Sequence, residues 1–180
     1  LRTKASAAVL SELLTKISAL TGKAKPTASL WTARAALENA LGRTQNAKAS
    51  LSNALAIDPS NRFALSELTE IALAEGDTLK ASVTVALLEK IAPVTVETRL
   101  LRARVYAANG NNNDALKTLE TLPAPLSAEA AAFRTRLLAA TADNAGELEK
   151  QLSATPGDAA ILGRLCSLYR VDAPAKALDY

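Results

Sequence analysis

Glu67 and Glu70 stand three residues apart in a stretch of helical periodicity, a spacing that sets both carboxylates on one helix face. A carboxylate pair is the minimum equipment for acid–base hydrolysis of a glycosidic bond. Solvated pairs at this spacing are equally ordinary on helix surfaces. The rest of the catalytic alphabet is missing. The 180-residue chain has no histidine, which removes Ser–His and Cys–His nucleophile pairs, imidazole proton transfer and most zinc sites together. The single Cys166 offers no disulfide and no thiol pair for metal or redox chemistry. Asn111-Asn112-Asn113-Asp114 looks like a calcium loop but lacks the other spaced ligands and the closing Glu; a turn with a helix cap accounts for it. No Gly-rich phosphate loop occurs. These residues predict a non-enzyme with no catalytic residue, no metal site and no cofactor.

The elements around these residues follow from composition. The chain is 49% hydrophobic and 22% charged, and Ala (39) and Leu (30) dominate it. Both residues lose little side-chain freedom in a helix, so the bias favours all-α structure. One Trp, three Tyr and two Phe are too few to fill a large globular core, and thin layers of small residues between close helices suit the composition better. The net charge of +3 is scattered, apart from a mild basic tilt at Arg2, Lys4, Lys16, Lys23 and Lys25. Nucleic-acid binders concentrate positive charge on one face and often interleave aromatics. Neither pattern is present, and a nucleic-acid partner is not expected. No apolar run approaches the ~20 residues of a membrane span. The chain begins at Leu1, has no Met and starts in mid-pattern, and so reads as a mature product or an excised piece.

Phase organises the rest. Gly42, Gly76 and Gly110 recur at 34 residues, Ala47, Ala81 and Ala115 follow them in step, and Pro59 and Pro93 close the first two units. A fixed period of this length marks an array in which each helix pair buries its apolar face on the next. The expected helices are Lys4–Leu20, then the pairs Thr27–Leu41 with Asn46–Ala56, Phe63–Glu75 with Leu79–Ile91, and Glu97–Asn109 with Asp114–Leu122. Ser127–Ala140 with Gly146–Ser153 forms a shortened pair, and Ala159–Tyr169 with Pro174–Tyr180 an incomplete one. Pro156 follows Pro93 by 63 residues rather than two full periods, so five residues are missing after Pro125. The implied organisation is 1–25 a helix of a partial preceding repeat, 26–61, 62–95 and 96–125 three repeats, 126–158 a degenerate shortened repeat, and 159–180 a partial one.

These residues resemble the tetratricopeptide repeat (TPR) family. The first unit carries Trp31, Ala35, Gly42, Ala47, Leu51, Ala54 and Pro59 in the motif's positions; the second Leu65, Leu68, Gly76, Ala81, Val85 and Pro93; the third Ala103, Tyr106, Gly110, Ala115 and Leu119. The incomplete last unit gives Leu162, Leu165, Cys166 and Tyr169. Arg34 and Arg102 depart from the motif where Leu is usual, and Glu38 replaces a Tyr. The resemblance implies an α-solenoid of antiparallel helix pairs coiled as a right-handed superhelix. It places Cys166 at a small-residue packing position, where a buried, inert thiol is expected.

In that family the first helices of the pairs line a concave partner-binding groove. Carried over residue by residue, the groove would present Asn39 from the first unit, Phe63, Ser66 and Glu70 from the second, and Glu97, Leu100 and Arg104 from the third. Thr32 and Ala36 stand where a chaperone-tail clamp needs Lys and Asn, so that clamp is not expected. A plainer reading pairs Glu70 with Arg104 across repeats and packs Phe63 between helices. The resemblance implies a non-catalytic scaffold binding a protein or peptide. Its texture reads as bacterial, with envelope, secretion or polysaccharide-export assemblies as settings and the periplasm ahead of the cytoplasm. Two rival readings are a structural, regulatory or self-associating segment of a larger protein, and a carbohydrate-binding helical domain. The latter needs aromatic platforms that this chain mostly lacks.

Overall fold

With alanine and leucine in helical phase and a glycine or proline at most breaks, local preference and the repeat pattern agree on helix. The computed structural model describes residues 7–22, 25–91, 95–141, 145–172 and 176–179. Among the described residues there are ten α-helices, one 3-10 turn and no strand. The helices are α1 (Ala7–Thr21), α2 (Ala28–Ala40), α3 (Thr44–Ile57), α4 (Arg62–Glu75), α5 (Thr78–Ile91), α6 (Val96–Ala108), α7 (Asn112–Glu120), α8 (Ala128–Thr141), α9 (Ala145–Ala154) and α10 (Ala159–Asp172). The expected helices fall on these with ends moved by a few residues. Where Pro174–Tyr180 is expected to open a helix, residues 176–179 form a 3-10 turn. Lys4, Pro93 and Pro174, expected helix or turn markers, lie outside the described residues.

The architecture is an all-α solenoid of helix pairs. Short loops between packed neighbours make those neighbours antiparallel. By compactness the chain divides within α6 into Leu1–Leu101 and Arg102–Tyr180. In the first unit α1 packs on α2, α2 on α3, α3 on α4 and α4 on α5. Its core joins Ala28, Ala35, Ala47, Leu51, Ala54, Ala64, Leu68 and Ile71, with Trp31 and Leu55 against its edge. The in-phase Ala47 and Ala81 are wholly buried, as is Ala115 in the second unit. A methyl group at these points lets helix backbones approach closely, and leucines fill the space between. In the second unit α7 packs on α8, and α10 on α8, α9 and the 3-10 turn, around Ala139, Leu148, Ile161 and Leu165.

The helix ends are set by local chemistry. Asn61 caps α4, its side-chain oxygen accepting from the Ala64 amide at 3.0 Å, and Thr27 caps α2 through the Leu30 amide. At the far end of α4, Gly76 is left-handed (φ +75°). There the Gly76 amide donates to the Leu73 carbonyl and the Asp77 amide to Ala72, which satisfies carbonyls that the helix itself cannot. The same two bonds close α2 at Gly42 and α6 at Gly110. Asn111 stands at the cap position of α7, but its side chain makes no capping bond; the expected cap is a backbone turn only. Cys166 is half-buried rather than buried, with its Sγ 3.7 Å from the Ala177 carbonyl oxygen.

The departures from the motif explain one another. Glu38 is buried, with only 1% of it exposed, at the middle of a polar knot. The Arg34 Nε donates to it at 2.9 Å and the Ser50 hydroxyl at 2.6 Å. Arg34 also reaches the Thr21 hydroxyl at 3.1 Å and lies over the Trp31 ring, 5.3 Å from its centroid. One ion pair therefore ties α2 to both α1 and α3. The next pair has a neutral counterpart, Thr69 donating to the Leu65 carbonyl and bonding the Thr84 hydroxyl between α4 and α5.

The stack of arginine on aromatic recurs as Arg136 over Phe133. Phe133 and Arg136 stand three 34-residue periods after Trp31 and Arg34. The first helix of the irregular pair thus keeps phase. Four of the five missing residues are accounted for in the second helix: α9 has 10 residues where α3 and α5 each have 14.

Candidate partner-binding faces

The expected groove residues of the first unit lie on α2, α4 and the start of α6. Asn39 is exposed near the end of α2, facing α4, where its Nδ2 donates to Glu67 Oε2 at 3.4 Å. Phe63 stands in the first turn of α4 with 46% of it exposed, so part of its ring meets solvent. Ser66 and Glu70 follow it on the same side of α4, both half-buried. Asn39 and Glu70 border one open groove of about 510 Å³, together with Thr44, Ile71, Ala74 and Glu75. Glu97 is exposed at the start of α6, and Leu100 one turn on is half-buried. Bonds from its own backbone amide and the Thr95 hydroxyl hold the Glu97 carboxyl below the usual carboxylate range, and the Arg62 charge adds to this.

Three carboxylates gather on α4. Glu67 is pushed above its ordinary value of 4.5, first by burial and then by the neighbouring charge of Glu70, while the Asn39 bond opposes the shift. Glu75 is paired from α3 by Lys48 Nζ at 2.8 Å and also accepts from the Gln45 amide at 3.3 Å. A partly desolvated like-charge pair could in principle divide acid and base roles. Here Glu70 and Glu75 line an open groove in place of an enclosed cleft, and Glu67 lies beside it, accepting from Asn39 across the helices. The chemistry this geometry offers is the reception of a positive charge. Among the described residues no three His, Cys, Asp or Glu side chains converge as metal ligands, and no helix is long and apolar enough to cross a membrane.

The second unit has its own face. Arg104 borders a hollow of about 450 Å³ with Glu129, Phe133, Arg136 and Leu137, between α6 and α8. Its lining is of mixed charge with a positive excess, two guanidinium groups and one carboxylate beside one aromatic ring. Sequence reasoning singled out Arg104 and passed over Phe133 and Arg136, although their phase with Trp31 and Arg34 was there to be read. At the end of this unit Tyr169 donates to Glu149, and Lys176 bonds both, 3.1 Å from the Tyr169 hydroxyl and 3.3 Å from Glu149. That pairing, Tyr169 foremost, raises the Lys176 ammonium above its ordinary range.

Helix pairs closed by left-handed glycines at a fixed period, with buried alanines in step, have a match among solved structures. A tetratricopeptide repeat protein from Parabacteroides merdae superposes with a TM-score of 0.70 at 20% identity, over 94% of this chain and 70% of that one. The chain has the tetratricopeptide-repeat fold. The flexible tandem repeat domain of a bacterial cellulose synthase component is also similar, at 20% identity over 84% of this chain and 88% of that one; its TM-score of 0.38 is too low to bear on the arrangement. No protein-family model and no curated protein matches the chain. The residues of the two candidate faces lie on α2, α4, α6 and α8, with Thr44 at the start of α3.

Proposed function

We propose that this TPR array is a non-catalytic scaffold that binds a segment of another protein on the first helices of its pairs, and that the 26–61, 62–95, 96–125, 126–158 and 159–180 divisions are its repeats. The reading is carried by one observation: Asn39 and Glu70, expected in the groove from the resemblance to the family, border the same open groove between α2 and α4. Its occupant is a segment bearing a lysine or arginine beside an apolar side chain. The cation would face Glu67 and Glu70, whose mutual repulsion it relieves, and the apolar group would cover Phe63. In the second unit Arg104 and Arg136, with Phe133 beside them, suit a carboxylate. Rim charges of this kind set orientation and choice of partner more than they set affinity.

Peptides selected against the wild-type protein from a random display library provide the ligand for a test. By calorimetry, Phe63→Ala and Glu70→Lys are each expected to weaken the selected peptide by about tenfold or more, the scale of a surface anchor, with helicity unchanged. An affinity untouched by either folded variant would remove the α2–α4 groove as the site.

A further inference from the structure

All the large apolar side chains that stand out in solvent among the described residues lie between Val9 and Val96, and three form one stripe. Leu79 is 76% exposed, Val83 53% and Leu87 44%. They are four residues apart on α5, so they run along one side of the helix for about 12 Å. The opposite side of α5 holds the buried Ala81, Val85 and Leu88. The stripe is therefore a second apolar face on a helix already docked by its first. It belongs to the second helix of its pair and lies apart from the α2–α4 groove.

We infer that this stripe is a self-association surface, on which two copies of the chain pair α5 against α5, antiparallel about a two-fold axis through Val83. The inference stands independently of the proposed groove. The stripe reads the same in both directions, so in an antiparallel pair Leu79 of one copy meets Leu87 of the other and Val83 meets Val83. A two-fold interface requires this self-complementarity. Charge selects the direction. Lys90 continues the stripe one turn beyond Leu87, and Asp77 caps the opposite end of α5, accepting from the Lys80 amide at 3.0 Å. Antiparallel pairing carries each ammonium to the end of the partner helix where Asp77 sits. A parallel pair would set Lys90 against Lys90. The exposed charges fix register, and the Leu–Val–Leu contact supplies the attraction. One helix pair is small beside a standard interface, so the dimer is weak and dissociates on dilution.

Sedimentation of the full chain over a wide concentration range tests this. The wild type is expected to shift reversibly from monomer to dimer. Val83→Glu, at a site more than half exposed, is expected to weaken the dimer by about tenfold or more with little change in helicity or melting. Direction is read by cysteine pairing in a Cys166→Ser background under mild oxidation. Val83→Cys should cross-link to itself, and Leu79→Cys should cross-link to Leu87→Cys but not to itself. The inference is overturned by a wild type that stays monomeric throughout, which leaves the stripe to a foreign partner. A dimer indifferent to Val83→Glu, or self-linking by Leu79→Cys, overturns it equally.

Discussion

Arg34 and Glu38 look like two faults in a repeat motif and behave as one solution. With Glu38 buried and bonded by both Arg34 and Ser50, removing Glu38 leaves the buried Ser50 hydroxyl without its carboxylate and the Arg34 charge without its counter-ion, and removing Arg34 leaves a buried carboxylate without a cation. Glu38→Ala is expected to cost about 2–4 kcal/mol in chemical denaturation. The double change Arg34→Leu/Glu38→Leu should cost far less than the sum of its parts, because apolar packing replaces the whole pair. Additive losses would show that the two residues act separately. Glu67 makes a prediction of opposite character. Its carboxyl is raised by burial and by Glu70, so the folded state holds its proton more tightly than the unfolded chain does. Stability therefore falls as pH rises from the ordinary value of 4.5 through the raised one. Glu67→Gln should stabilise the fold near neutrality and lose that advantage in acid below the ordinary value; a gain independent of pH would contradict this assignment. The sequence showed that Glu67 and Glu70 share a helix face. It could not show Asn39 beside them, because that contact joins two repeats.

At the scale of elements, most of the fold was legible because glycine, alanine and proline mark it in phase. Each has a physical task at its position. At Gly76 the backbone is left-handed with open space around it, so an added methyl group meets strain but no clash. Gly76→Ala is expected to cost about 1–2 kcal/mol, read as a lowered denaturation midpoint with an unchanged slope. A neutral result would mean that the turn re-forms in another geometry. Less legible was the irregular pair. Its five missing residues show in the proline spacing, but only the ten-residue length of α9 places four of them in the second helix. The α5 stripe was hidden for a related reason. Leu79, Val83, Val85, Leu87 and Leu88 all read as apolar, and the line alone does not divide them between a docked face and an open one.

For the whole molecule, the TPR fold supplies surfaces and leaves the chemistry of recognition to a few exposed side chains. That explains why a sequence so informative about architecture said little about a partner: the carboxylates share one helix, but the groove they border is completed by Asn39 and Thr44 from the preceding repeat. The central claim is that the α2–α4 groove reads a positive charge through Glu67 and Glu70. The most direct measurement is selection from a random peptide display library by the wild type and, in parallel, by the folded charge-reversed variant Glu67→Lys/Glu70→Lys. Peptides enriched by the wild type should share a lysine or arginine next to an apolar residue, and those enriched by the variant should carry aspartate or glutamate there. A basic preference that survives the reversal, or no charge preference in either pool, would contradict the account.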